Sequence, residues 1–540
     1  VLVNRRSFLR TVAGATAPAI LRARPKRPNI ILIMADDMGY SDIGCYGSEI
    51  ATPNLDRLAR GGVRFTQFYN NARCCPTRAS LLTGLYPHQA GIGHMMGDYH
   101  LPAYRGNLSR NAVTIAEALR PAGYHTLMTG KWHVTPVGEE HRDNWPMQRG
   151  FEHYYGTIMG GGSYYAPASL QRDNIAVTPG TGDFYYTDAI GENAAAYAEE
   201  YARKSEPFFL YTAFTSPHWP LHARAEEIAR YQDRYRAGWD RLREERHRKQ
   251  IELGILDRKW PISPRDPQVP AWEDVKLKEW QIRRMAVYAA QVDAMDRNIG
   301  RILKSVEKAG ALDHTLILFL SDNGGCAEEL RPGARAQHIP ERTRDGRAMR
   351  TGNQPAIPPG PEDTYASYGI GWANASNTPF RLYKHWVHEG GIATPLIAHW
   401  PEGVRKPGAI TSQYGHIIDI MATCVDAAGA TYPSQHGGQA ITPLEGHSLL
   451  PILSGGKRPA PEIYWEHEGN RATRQGKWKL VSRFNQDWEL HDMDAGRTEQ
   501  NNLADRQPAV AAKLKDKWRK WADRVGVEPW AELRKRQINT

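Results

Sequence analysis

The sequence predicts a large α/β protein, with a mostly parallel or mixed sheet flanked by helices and a smaller C-terminal α+β domain containing an antiparallel sheet. Three observations predict it. Apolar runs rich in branched residues recur from Asn29 to Leu320, helical stretches separate them, and near residue 455 this alternation gives way to short, closely spaced strand-like runs. With 540 residues the chain exceeds one small domain and can bury a large core plus a satellite. Its 16 Trp and 41% hydrophobic content exclude a disordered chain. No unbroken apolar run approaches the roughly 20 residues that span a bilayer, so no stable membrane insertion is expected. Five cysteines, two of them adjacent, exclude a disulfide-dense scaffold and a zinc site of repeated CxxC pairs.

Residues 1–24 read as an address. Asn4-Arg5-Arg6-Ser7-Phe8-Leu9-Arg10 precedes a weakly apolar, Ala- and Gly-rich stretch from Thr11 to Leu21, the pattern of a twin-arginine export signal. Export through that machinery predicts a periplasmic or secreted protein. Removing this segment takes away five arginines and no acid, so the formal charge of +10 becomes +5. The remaining basicity is dilute, and no nucleic-acid partner is expected.

The catalytic domain is expected over residues 25–455. Asn29–Met34 (NIILIM) reads as a buried parallel strand. Thr52-Pro53 opens a helix that Gly61-Gly62 ends. Val113–Arg120 is a helix stopped by Pro121, and Tyr124–Met128 a strand. Phe208–Phe214 and Thr315–Leu320 are further buried strands, and Gln281–Ala309 has helical periodicity. Residues 222–250, dense in Arg and Glu, read as a solvated helix surface. Residues 327–375, rich in Gly, Pro and Arg, read as an irregular insertion over a functional site. In the C-terminal domain, residues 456–540, strands are expected at Ile463–Trp465, Trp478–Ser482 and Trp488–His491, followed by a helix over Ala509–Val525.

Polar residues fall directly after the strands. Asp36-Asp37, Lys131 with His133, His218, and Asp322-Asn323 each follow one strand. Ligands of open parallel sheets bind beyond the carboxyl ends of the strands, so these clusters should converge on one crevice. Asp36, Asp37, Asp322 and Asn323 are hard oxygen donors, suited to Ca²⁺, with Mg²⁺ as the alternative, rather than to zinc.

The segment Cys74-Cys75-Pro76-Thr77-Arg78, followed by Leu82-Thr83-Gly84, resembles the signature of the type I, formylglycine-dependent sulfatases. The resemblance extends through Asp36-Asp37, Gly130-Lys131-Trp132-His133, Ser216-Pro217-His218, Ser321-Asp322-Asn323-Gly324 and Lys384 with Glu389-Gly390-Gly391, and is strongest to bacterial periplasmic arylsulfatases. It implies an alkaline-phosphatase-like sheet. It also implies that a dedicated maturation enzyme oxidises Cys74 to formylglycine, whose hydrate attacks the sulfur of a sulfate ester. Arg78 is implied to hold the hydrate and bridge to the metal. Lys131 and Lys384 are implied to bind sulfate oxygens, His218 or Lys384 to protonate the leaving oxygen, and His133 to orient or deprotonate the second hydroxyl. A helix beginning near Thr77 is expected to aim its amides at the anion.

Other residues have a functional and a packing reading side by side. His385 and His388 either serve the site or stabilise a turn. Tyr164, Tyr165, Trp372 and Trp386 either shape a leaving-group pocket or pack the core. Glu466-His467-Glu468 could reach the cleft from the C-terminal domain, and Asp143, Asn144 and Arg149 lie in a polar loop. The leading function is hydrolysis of an aryl or carbohydrate sulfate monoester. A phosphonate monoester or phosphodiester hydrolase is the alternative, since both use tetrahedral oxyanions; a non-catalytic binder of sulfated glycans is the third.

Overall fold

The computed structural model describes residues 27–536. The twin-arginine reading of residues 1–24 lies outside them. An eleven-stranded sheet forms the centre of the described residues. Its main strands are β1 (Asn29–Ala35), β2 (Val63–Tyr69), β3 (His125–Gly130), β4 (His153–Thr157), β5 (Phe208–Ala213), β6 (Thr315–Ser321) and β7 (Ala393–His399). Across the sheet these lie in the order β2, β7, β6, β1, β5, β3, β4. β1 pairs in parallel with both β5 and β6, and β3 with both β5 and β4. β7 alone among them reverses, running antiparallel to β6 and to β2. Every residue of β1, β5, β6 and β7 is buried, which is why β1, β5 and β6 read as nearly unbroken apolar runs without alternation.

Helices cover both faces. Helix α1 (Cys74–Thr83) is buried at every position, so it carries no amphipathic stripe that a sequence pattern could reveal. On the other face α2 (Tyr186–Tyr201) packs against the 31-residue α3 (Lys278–Lys308), bringing Ile190, Ala194 and Ala198 together with Met295, Ile299 and Ile302. Thr114 caps a short helix, Ile115–Leu119, through a reciprocal capping box with Glu117, two residues inside the start expected at Val113.

Two sequence expectations change. The Arg/Glu-rich stretch forms helices over Ala225–Ala229 and Gly238–Glu252, but it is not wholly solvated. Arg246 is fully buried, at 2.6 Å from Asp42 and 2.9 Å from Glu49, because burial is tolerated where two carboxylates receive the guanidinium. The insertion over 327–375 is less irregular than its composition: it holds a two-stranded ladder of Arg350–Thr351 with Thr364–Tyr365 and a helix over Gly369–Ser376.

Toward the C-terminus a four-stranded antiparallel sheet is built from Ile463–His467, Asn470–Gln475, Trp478–Ser482 and Glu489–Asp492, with a helix over Pro508–Val525 against it. The second of these strands has a polar sequence, NRATRQ, and gives no apolar signal. The sheet docks on β2 through Trp465, whose indole donates to the Asn70 carbonyl at 2.8 Å and meets Tyr69 edge-on. No helix of the described residues is long and apolar enough to cross a membrane.

Candidate active site

Topology brings six segments to one edge of the sheet. β1, β3, β5 and β6 run in parallel and end there. β2 points the same way, because it is antiparallel to β7, which is itself antiparallel to β6. The turn after β2 leads into α1 and so delivers Cys74, while β7 starts at this edge and is preceded by the loop carrying Lys384. All ten residues singled out by the sequence, Asp36, Asp37, Cys74, Arg78, Lys131, His133, His218, Asp322, Asn323 and Lys384, are buried or nearly so.

Their contacts form one network. Lys131 Nζ donates to Asp36 Oδ2 at 2.5 Å, and Lys384 Nζ to Asp37 Oδ2 at 2.9 Å. Arg78 donates to Asp322 Oδ2 at 2.8 Å and to the Lys131 carbonyl at 3.2 Å, with Asp36 Oδ2 at 3.5 Å. Asn323 Nδ2 donates to Asp37 Oδ1 at 2.7 Å, and the Asp37 amide to Asp322 Oδ1 at 3.1 Å. Asp37 reaches that geometry with a left-handed φ of 63°, a conformation that Asp tolerates better than most residues. His218 Nε2 lies 3.4 Å from Asp37 Oδ2 and 3.5 Å from Lys384 Nζ, and its Nδ1 faces the Trp219 carbonyl at 2.5 Å. The Tyr164 hydroxyl donates to the Thr215 and His218 carbonyls, at 2.9 and 2.8 Å, so this tyrosine supports the His218 turn rather than lining a pocket.

Three carboxylates in so dry a place oppose one another. Burial, and next the charge of Asp36, push the Asp322 carboxyl well above its ordinary range. Burial also raises Asp36 against the pull of Lys131. Asp37 is the exception: burial pushes it up, but Lys384 and then His218 more than offset this and hold it below the usual range. Asp36 Oδ1 and Asn323 Oδ1 are buried without any hydrogen-bond partner. Orphaned hard oxygens beside crowded carboxylates are the donor set of a divalent cation, which would satisfy them and relieve the repulsion. The residues present fit such an ion.

Cys74 occupies the first position of α1, with Arg73 as N-cap. The helix therefore begins three residues earlier than expected, and Cys74 itself sits in the turn whose free amides favour negative charge. Its thiol is pushed well below its usual range, first by a hydrogen bond from Cys75 and then, against burial, by Lys131. His133, at a left-handed φ of 55°, lies 3.2 Å through Nε2 from Cys75 Sγ. Burial, with Lys131 adding, lowers its pKa to about 4. A side chain at Gly160 would fall 2.0 Å from the His133 ring, so the glycine clears the space the imidazole occupies.

Several neighbours escaped the sequence reading. Glu328, inside the irregular insertion, accepts from Arg73 at 2.8 Å and from the Trp219 indole at 3.0 Å. Burial raises its carboxyl, but Lys384 and Arg73 hold it well below the usual range. It carries no sequence signal beyond its place after Asp322-Asn323. Gly160-Gly161-Gly162 was the one legible clue, a glycine run where backbone and side chains approach closely. Other residues do not join the site. Arg149 pairs with Glu117 at 2.9 Å and with Asn144 at 2.6 Å, a structural tie behind the sheet edge. Trp372 is fully buried among Tyr235, Trp239 and Trp272. His388 faces Glu489, and Glu389 bonds Lys479 and Arg497 of the C-terminal region rather than the catalytic network. Glu466 accepts from His88, whereas His467 and Glu468 gather around His385.

Against known proteins, residues 28–430 match the Sulfatase family, and residues 380–523 match the family described as N-sulphoglucosamine sulphohydrolase, C-terminal. The chain is 33% identical to an uncharacterized sulfatase of Schizosaccharomyces pombe, over 94% of this chain and 95% of that protein. It is 32% identical to an arylsulfatase of Klebsiella aerogenes, covering 83% of this chain and 97% of the relative. Among solved structures, one of a protein in complex with a k-i-k-neocarrahexaose superposes with a TM-score of 0.66 at 25% identity, over 92% of this chain and 93% of the other. The chain belongs to the sulfatase family and is a sulfatase.

Proposed function

We propose that this sulfatase hydrolyses aryl or carbohydrate sulfate monoesters through formylglycine at position 74 and a divalent cation, Ca²⁺ with Mg²⁺ as the alternative. The observation that carries the reading is the placement of Cys74 at the head of α1, in one buried network with three carboxylates and three cationic side chains. A binder of sulfated glycans would need the cations but not the carboxylates, which repel the ligand unless a metal occupies them.

Asp36, Asp37, Asp322 and Asn323 would hold the cation, which supplies Lewis-acid neutralisation of charge on the sulfate oxygens. A maturation enzyme would convert Cys74, and the hydrated aldehyde supplies a nucleophile that is regenerated without water attacking the sulfated form. Arg78, fixed by Asp322, orients the side chain at position 74. Lys131 and Lys384 stand on opposite carboxylates and are free to turn their ammonium protons toward sulfate oxygens as the ester enters, countering charge that builds in the transition state. Lys384, or His218 between Asp37 and Lys384, hands a proton to the departing oxygen. His133 takes the proton of the second hydroxyl; its lowered pKa leaves it neutral and able to accept. Export of the folded protein fits the five cysteines, all free and buried.

The test compares kcat/KM for 4-nitrophenyl sulfate with that for a phenyl phosphonate ester, in one batch with the mass of the peptide containing position 74 determined. A conversion to formylglycine lowers that mass by about 18 Da relative to cysteine. A large preference for the sulfate supports the proposal. A preference for the phosphonate moves the enzyme to phosphorus chemistry, and full turnover with unconverted Cys74 overturns the nucleophile.

A further inference from the structure

A second cluster of ionisable side chains lies outside the catalytic network. His467 ends the first strand of the C-terminal sheet and Glu468 begins the turn to the second, and both face His385, the residue after Lys384. One ligand atom from each of His385, His467 and Glu468 lies within 4.8 Å of the other two. His385 Nδ1 is 3.2 Å from Glu468 Oε2, and His467 Nε2 is 3.6 Å from Glu468 Oε1. His94, from the loop after α1, places Nε2 2.9 Å from the same Oε1 and stacks on the His467 ring. The Tyr99 hydroxyl lies 3.3 Å from the other ring nitrogen of His94, Nδ1, and fixes the orientation of that ring.

His467 makes the cluster more than a set of surface ion pairs. It is fully buried, and neither of its ring nitrogens has a hydrogen-bond partner. A buried imidazole with both nitrogens unmatched costs stability unless something else occupies a lone pair. Two donors each about 2.0–2.1 Å from a tetrahedral ion stand about 3.3 Å apart, close to the separations found here.

We propose that His385, His467 and Glu468, with His94 as a fourth donor, form a second metal site that takes a transition-metal dication of the Zn²⁺ class. The donor chemistry separates it from the first site. Imidazole nitrogens with one carboxylate select Zn²⁺, Co²⁺ or Ni²⁺, whereas the all-oxygen set of Asp36, Asp37, Asp322 and Asn323 suits Ca²⁺ or Mg²⁺. Beside it lies a 270 Å³ cavity bordered by His385, Trp386, Glu468, Asn470 and Trp530, through which an ion can reach the donors from solvent.

Co²⁺ tests the site, because it substitutes for Zn²⁺ and absorbs visible light in low-coordinate nitrogen and oxygen surroundings. The full chain is stripped with EDTA, reloaded with excess Ca²⁺ to fill the oxygen site, and titrated with Co²⁺ by calorimetry and absorption. One Co²⁺ equivalent is expected, displaced by Zn²⁺. It should be lost in Glu468→Gln and in the partly exposed His385→Ala, with calcium content and far-UV circular dichroism unchanged. Asp36→Asn should lose calcium and retain Co²⁺, so this site and the catalytic reading fail separately. Absence of stoichiometric Co²⁺ in the wild-type chain, or equal binding in both variants, overturns the proposal and leaves a hydrogen-bonded His–Glu cluster.

Discussion

Two buried charge clusters lie on either side of the loop that carries Lys384, and they are built to opposite ends. In the anchor cluster, Glu389 Oε1 accepts from Lys479 at 2.9 Å, while Oε2 accepts from Arg497 at 2.7 Å and from the Tyr69 hydroxyl at 3.1 Å. Lys479 also pairs with Glu499 at 2.8 Å, and Glu499 accepts from the Glu389 amide at 2.9 Å. Burial raises both carboxyls, but Lys479 above all holds them below their ordinary range, Glu499 at about 2. The candidate-site cluster sets three cations against three carboxylates, yet it leaves Asp36 Oδ1 and Asn323 Oδ1 unpaired and Asp322 pushed up toward its neutral form. A cluster whose charges are matched internally clamps the C-terminal sheet to the catalytic loop. A cluster that leaves buried carboxyl and amide oxygens unmatched, with one carboxyl pushed up by its neighbours, is suited to a ligand that brings positive charge.

The comparison can be broken at several points. The largest effect is expected from Cys74→Ala, which should lower kcat/KM by about 10⁴-fold or more, as loss of a covalent nucleophile does, while leaving the thermal transition near that of wild type. Retained turnover would remove the nucleophile from position 74. Next, Asp322→Ala should abolish stoichiometric calcium, read by elemental analysis, and cost about 10³-fold in kcat through the lost cation and the freed Arg78. Unchanged metal content would sink the ligand set.

The anchor should respond in stability instead. Lys479→Ala leaves Glu389 and Glu499 buried without their shared partner, and a loss of about 3–5 kcal/mol is expected in denaturant unfolding. A change under about 1 kcal/mol would show that the two carboxylates find another arrangement. The smallest effect concerns acid. Because the Glu499 pKa is lowered from 4.5 to about 2, its contribution is complete above pH 4.5 and is lost as pH falls toward 2. The stability of wild type should therefore fall more steeply across that window than that of Glu499→Gln; parallel curves would count against the matched cluster.

Much of the candidate site was legible because its polar groups directly follow buried apolar runs. A strand that spends every residue on the core leaves its first free polar side chains at its end, and parallel strands put those ends together. What escaped had no such pattern. β7 was missed because its sequence, ATPLIAH, is broken by Thr, Pro and His, and α1 was started late because a helix buried all round shows no periodicity. Glu389 shares a motif with Lys384. Its side chain instead turns toward Lys479 and Arg497, which lie 90 and 108 residues further on. His467 was grouped with Glu466 as a cleft candidate, but the two part company: strand alternation sends Glu466 to His88 and the turn sends Glu468 to His385.

By itself the sequence determined the fold class, the positions of the strand ends and the chemical types gathered there, since burial patterns and side-chain chemistry are local properties. Only the tertiary structure decided which carboxylate meets which cation, which oxygens remain unpaired, and that one His–Glu turn of the C-terminal sheet closes on His385. Those outcomes depend on distances between segments hundreds of residues apart, set by strand direction and packing rather than by any window of the chain.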